Sequence, residues 1–142
     1  PGLALYGGVP RAEAAAHLRP VVRLEAQILQ KRLVPAGESV GYGASWTAAR
    51  TTPAAIINLG YADGFWRALG GPVTAQLGRV SLSLLGRVSM DLIAVDLTAA
   101  PEAGEGDWLT LPLDLAAASA ATGMSQYELL TGLGQRFARV WA

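Results

Sequence analysis

Glycine spacing limits what this chain can fold into more than any other feature. The 142 residues include 17 Gly and 8 Pro. Between Val21 and Leu111 these residues cut the sequence into short apolar runs, which suit strands better than long helices. In 21–34 the apolar Val22, Leu24, Ala26 and Ile28 alternate with Arg23, Glu25 and Gln27. That period of two predicts a long, half-buried strand. Further strands are predicted over 53–59, 73–77, 80–85, 92–97 and 107–111, with a turn at Pro35-Ala36-Gly37-Glu38-Ser39 and a loop at Gly60-Tyr61-Ala62-Asp63-Gly64. The predicted fold class is mainly β: a small antiparallel β-barrel-like domain, or a sandwich, with two or three short helices.

The ends have a different texture. Residues 1–8 read as a strand end running into glycine turns, and 11–18 as a short Ala-rich helix ended by Pro20. After Pro112, Asp114 is placed to cap a helix over 115–121. Ser125 and Glu128 have capping-box spacing for a second helix over 126–133, with Gly132 and Gly134 as stops. Residues 137–141 are expected to return as a last strand. The abrupt apolar start without Met reads as a cut inside a larger protein. No signal peptide is recognisable, and no apolar run reaches the ~18 residues that would span a membrane.

Composition excludes several chemistries. Lys plus Arg and Asp plus Glu are both 11, so the net charge is zero and a general grip on nucleic acid is not expected. There is no Cys and one His, His17. Disulfide frameworks, thiolate metal sites and multi-histidine metal sites are therefore excluded, and a Ser-His triad is disfavoured. Lys31 is the only lysine, so imine chemistry needs either Lys31 or a lysine elsewhere.

Four clusters put polar groups into glycine-rich or capped segments: Gly41-Tyr42-Gly43, Gly60-Tyr61-Ala62-Asp63-Gly64 with Arg67, Gly86-Arg87-Val88-Ser89-Met90-Asp91, and Gln126-Tyr127-Glu128. Flanking glycines let the backbone take unusual conformations and let a ligand come close. Each residue also has an ordinary reading. Tyr42 and Tyr61 would cover the core edge, Arg67 and Arg87 would form surface ion pairs, Met90 would pack, and Asp63 would close its own turn. A phenol titrates near pH 10, so a tyrosine base needs a cation or donor beside it. Arg67 and Arg87 are candidates for that field, or for a two-pronged hold on a carboxylate.

Taken in order, the clusters resemble the C-terminal domain of alanine racemase, a fold-type III pyridoxal-phosphate enzyme. The resemblance rests on Pro1-Gly2-Leu3-Ala4-Leu5-Tyr6-Gly7, Leu18-Arg19-Pro20-Val21 and Pro35-Ala36-Gly37-Glu38-Ser39-Val40-Gly41-Tyr42-Gly43. It continues through Gly60-Tyr61-Ala62-Asp63-Gly64-Phe65 with Arg67-Ala68-Leu69, Gly86-Arg87-Val88-Ser89-Met90-Asp91, Tyr127-Glu128-Leu129-Leu130 and Gln135-Arg136. It implies that residues 1–18 end an N-terminal α/β barrel and that 19–142 form the β domain. It also implies a cytoplasmic homodimer that interconverts L- and D-alanine for peptidoglycan precursors, with each active site built from both subunits. Its two bases are the cofactor lysine on one face of the substrate Cα and a tyrosine on the other.

On that resemblance Tyr42 is the second base. Met90 and Asp91 border the substrate carboxylate of the partner's site. Tyr61, Arg67 and Arg87 line the substrate's access route. Gly2 and Leu3 offer backbone donors to the cofactor phosphate, and Tyr127 offers its hydroxyl. The expected partners are a small-molecule amino acid, the N-terminal barrel and a second copy of the chain; nucleic acid, membrane and metal ions are not expected. The chain departs from the family pattern in lacking the barrel and its Schiff-base lysine, and Lys31 matches no motif position for that role. Trp66 stands where relatives often have a small loop plus proline after Gly64-Phe65, and is expected to narrow or reshape the access route. The chain alone is expected to be inactive. The alternative is a stand-alone β-barrel ligand-binding or interaction module on the same scaffold, since fold does not fix function.

Overall fold

The computed structural model describes residues 2–141; Pro1, which opens the first motif, lies outside them. The alternating stretch forms β1 (Leu24–Val34). Leu24, Ala26 and Ile28 point into the core, as the period of two requires. The phase then breaks. Leu29 is an extra residue between the paired Ile28 and Gln30, and this bulge bends the strand. Before the bend β1 pairs with β9 (Trp108–Leu111); after it, β1 pairs with β4 (Thr52–Ile57).

The remaining strands are β2 (Ser39–Val40), β3 (Trp46–Thr47), β5 (Ala75–Leu77), β6 (Val80–Leu82), β7 (Leu84–Leu85) and β8 (Ile93–Asp96). The main sheet has the order β6-β5-β9-β1-β4-β8-β7, and β2 and β3 form a separate hairpin. Every pairing is antiparallel. The fold is thus mainly β with short helices. The run 80–85 corrects the expectation of one strand. Ser83 divides it into β6 and β7, which form opposite borders of the sheet. Because those borders are consecutive in the chain, the sheet curls until its two edges meet at one residue.

The ends differ from expectation in two ways. Residues 2–5 form a short helix, α1 (Gly2–Leu5), rather than a strand end. Gly7, at φ 75°, donates to Ala4 O and Gly8 donates to Leu3 O. This paired closure stops a helix with glycine in the left-handed region. Residues 137–141 are not a strand. The two C-terminal helices form where expected, as α2 (Leu115–Thr122) and α3 (Gln126–Thr131). Asp114 Oδ1 accepts from the Ala116 and Ala117 amides.

The inner face of the sheet is filled by Ile28, Ile57, Leu59, Leu109 and Leu111, joined by Phe65, Leu69 and Leu129 from loops and helices. Each large side chain buried this way is worth about 1.5–3 kcal/mol. A smaller cluster of Val34, Ala48, Ala54, Leu85 and Ala94 lies under the β2–β3 hairpin, with Val40 and Trp46 against it. This second cluster fixes the hairpin that carries Tyr42.

Helix α3 begins with a reciprocal cap. The Ser125 amide donates to Glu128 Oε2 at 2.7 Å, and the Glu128 amide donates to Ser125 Oγ at 3.2 Å. The bonds from the Ser125 backbone and hydroxyl hold the Glu128 carboxyl below its ordinary value. A carboxyl lowered by folding contributes stability that is full above its unfolded value and is lost as pH falls through its folded value. Glu128→Gln is therefore expected to flatten the acid side of the stability profile and to change the neutral side less. Urea midpoints of both forms between about pH 6 and pH 3 check this.

Candidate functional site

Three of the four clusters meet at one end of the sheet. Tyr42 opens a tight 3-10 turn, Tyr42–Ala44, between β2 and β3. The turn is possible because Gly41 and Gly43 have φ of 82° and 70°. Gly41 and Gly86 let two backbones touch. A Cβ at Gly41 would lie 3.3 Å from the Arg87 amide nitrogen, and one at Gly86 would lie 2.7 Å from Val40 O. The Arg87 guanidinium sits over the same turn, 3.9 Å from where a Gly43 side chain would begin. The Tyr42 side chain itself is 64% exposed. It borders an open cleft of about 380 Å³ lined by Gly41, Tyr42, Ser89, Met90, Asp91 and Leu92.

The second contact is closer still. Tyr61 N–H donates to Ser89 O at 3.0 Å, and Ala62 N–H donates to Met90 O at 2.9 Å. Gly60 lies flat against the Met90–Asp91 peptide, where an added Cβ would fall 2.2 Å from Met90 O. The loop 60–64 therefore sets the height of the 89–91 segment in the cleft wall.

Arg136 joins both loops. Its Nε donates to Asp63 Oδ1 at 2.8 Å and its Nη1 donates to Asp91 Oδ1 at 2.7 Å. Asp63 is buried, and its Oδ2 accepts the Gly60 amide at 2.9 Å. Asp63 first, then Asp91, raise the Arg136 guanidinium above its already high value. Asp63 does close its own turn, but it is also the buried end of an ion pair. No local spacing predicts that pair; the only hint of Arg136 is its place in the Gln135-Arg136 motif.

Tyr61, Trp66 and Arg67 line a second open cavity of about 360 Å³. The Arg67 guanidinium lies 4.7 Å from the centre of the Tyr61 ring, a cation–π distance. Its Nε donates to Val88 O at 3.3 Å. Trp66 packs beside Gly132, and its indole N–H is buried without an acceptor.

The fourth cluster is held by a different neighbour. The Tyr127 hydroxyl oxygen accepts from Leu3 N–H at 2.8 Å, and a Cβ at Gly2 would lie 3.2 Å from that oxygen. Gly2, Leu3 and Tyr127 are thus brought together as the resemblance implies, with the Leu3 amide already engaged by the phenol. Gln126, not among the candidates, makes this possible. Its side-chain amide accepts from Val9 N–H at 2.7 Å and donates to Val9 O at 2.9 Å, tying 2–9 to α3. Lys31 serves neither group: on β1, its Nζ donates to Pro101 O and its amide to Glu105. Among the described residues no helix is long and apolar enough to cross a membrane.

Comparison with known proteins places these features in a family. The family model for the alanine racemase C-terminal domain matches residues 21–141. An alanine racemase of Marinobacter nauticus is 44% identical over 146 residues, covering 99% of this chain and 41% of its own length. The crystal structure of an alanine racemase from Bartonella henselae with covalently bound pyridoxal phosphate superposes with a TM-score of 0.88 at 38% identity, covering 100% of this chain and 41% of that one. The biosynthetic alanine racemase of Pseudomonas aeruginosa gives a TM-score of 0.84 at 40% identity, with the same coverage. The chain spans about two fifths of the length of these relatives.

The packing of Gly60 yields a direct test. Gly60→Ala is expected to part the 60–64 and 89–91 loops, because the added methyl meets backbone rather than a yielding side chain. Gly104→Ala, where an added Cβ meets nothing within 4 Å, is the control. Hydrogen exchange at the Tyr61 and Ala62 amides should accelerate by about tenfold or more in the first variant and stay unchanged in the second.

Proposed function

The chain belongs to the alanine racemase C-terminal domain family, and from that premise we propose that it supplies part of a composite, pyridoxal-phosphate-dependent site that interconverts L- and D-alanine. The observation that carries this reading is the exposed phenol of Tyr42 on an open cleft shared with Met90 and Asp91. A stand-alone β-barrel module is not favoured, since each relative above carries this region within a much longer chain. Residues 1–18 are then the end of a preceding α/β barrel, and 19–142 the domain proper. The barrel brings the cofactor lysine, and a second copy of the chain completes each site. The protein works in the cytoplasm as a homodimer on free amino acid.

The residues present suit the cofactor. Glycine at position 2 leaves space beside the Tyr127 hydroxyl that a Cβ, 3.2 Å from that oxygen, would crowd. A phosphate is well held by converging backbone N–H groups and a neutral hydroxyl. The Gly2 amide and the Tyr127 hydroxyl would hold it. Leu3 N–H, which donates to Tyr127, keeps that oxygen turned so that its own proton is free to donate. When bound, pyridoxal phosphate draws electrons from the substrate Cα and acidifies its C–H bond.

Tyr42 Oη accepts the Cα proton on one face, or returns it there, while the opposite face belongs to the lysine outside this chain. One base per face lets either enantiomer lose its proton on one side and regain it on the other. The Met90 and Asp91 segment borders the substrate carboxylate. Tyr61, Arg67 and Arg87 line the approach, and Trp66 walls the Tyr61–Arg67 cavity and shapes which side chains pass.

Two substitutions in the full-length protein separate these roles. Tyr42→Phe is expected to lower kcat by about 10²-fold or more in both directions with cofactor content preserved. Unchanged turnover would remove Tyr42 from the reaction. Tyr127→Phe deletes one donor and is expected to weaken cofactor retention about tenfold. Titration of the apoenzyme with pyridoxal phosphate, followed by absorbance, measures it.

A further inference from the structure

The cleft beside Tyr42 raises an electrostatic problem. Of the residues that line it, Gly41, Tyr42, Ser89, Met90, Asp91 and Leu92, the one charged side chain is Asp91, an acid. On the racemase reading this cleft receives a substrate that carries a carboxylate. Like charges at such range oppose each other, the more so where protein displaces water.

Arg136 answers that problem without lining the cleft. Its Nη1 reaches Asp91 Oδ1 at 2.7 Å, while its Nε holds Asp63 Oδ1 at 2.8 Å. The Asp63 side chain is 7% exposed and that of Asp91 is 51% exposed. The pair with the buried Asp63 anchors the guanidinium, so the second prong meets the exposed carboxylate from a fixed position. The same bridge joins the 60–64 loop to the 89–91 segment that packs against it.

We propose that Arg136 is a positioning residue for amino-acid binding: anchored on Asp63, it neutralises Asp91 and holds the Met90–Asp91 wall so that a substrate carboxylate can approach. The inference rests on the racemase reading above. It differs from a purely architectural role because the charge on Asp91 is the cause of the defect when Arg136 is removed.

The test uses the full-length protein with L- and D-alanine. Arg136→Gln is expected to raise KM about tenfold for both enantiomers, with kcat within about threefold and cofactor absorbance unchanged. Adding Asp91→Asn to that variant is expected to bring KM back to that of Asp91→Asn alone, because the repelling charge is gone. Arg136→Lys keeps a cation for the buried Asp63 and serves if the glutamine variant does not fold. Its KM rise should be smaller and should also vanish when Asp91→Asn is added. An active parent whose Arg136 variants keep the parental KM, or whose KM defect persists with Asp91→Asn, overturns this inference alone. A full-length parent that does not racemise alanine overturns the reading it rests on, and this inference with it.

Discussion

The buried carboxylate of Asp63 is the interaction on which the rest of the site depends. An ionised group taken out of water is costly unless hydrogen bonds and an opposite charge compensate it. Asp63 receives both, from the Gly60 amide and from Arg136 Nε. Its main-chain oxygen also accepts the Gly134 amide at 3.0 Å. Two stretches far apart in the chain, 60–63 and 134–136, are thereby pinned to one residue, and through Arg136 so is a third, at Asp91. Gly64, at φ 89°, lies so close to Gly132 O that no side chain fits between them. The loop has little freedom to drift, and Met90 stays where the loop puts it.

The chain keeps two groups of functional residues on separate supports. One is the cleft, held by the small cluster under the hairpin and by the Asp63 network. The other is the Tyr127 group, held by the capped start of α3 and by Gln126. In both, the groups exposed to a ligand are few and the groups that aim them are held by hydrogen bonds of their own. That separation suits a domain whose two surfaces face different parts of an assembly.

Much of this was legible in the sequence, for mechanical reasons. A strand turns alternate residues to opposite faces, so Leu24, Ala26 and Ile28 could be assigned to the core directly. The bulge at Leu29 resets that phase and leaves Leu33 exposed, and no local signal announces it. Residues 80–85 read as one strand because strand-forming composition does not reveal a change of partner at Ser83. Residues 2–5 read as a strand end because a short apolar run serves strand and helix equally; the Gly7-Gly8 closure makes them a helix. The glycines around Tyr42 point to a loop of unusual backbone conformation, and Gly41 and Gly43 both take positive φ. Arg136 was opaque because its ion pairs span 73 and 45 residues of sequence, and such pairings are set by topology rather than by neighbours.

The curl of the sheet has an effect beyond shape. An open sheet of seven strands would present two long rows of unpaired peptide groups, each a template for a passing chain. Here both borders belong to the six residues 80–85, and their halves already bond inward to β5 and β8. At the borders of the main sheet, a misfolded neighbour looking for a strand to extend therefore finds only one short, bent stretch to grip. The domain carries its protection against cross-chain pairing in its connectivity rather than in guard charges along its rim.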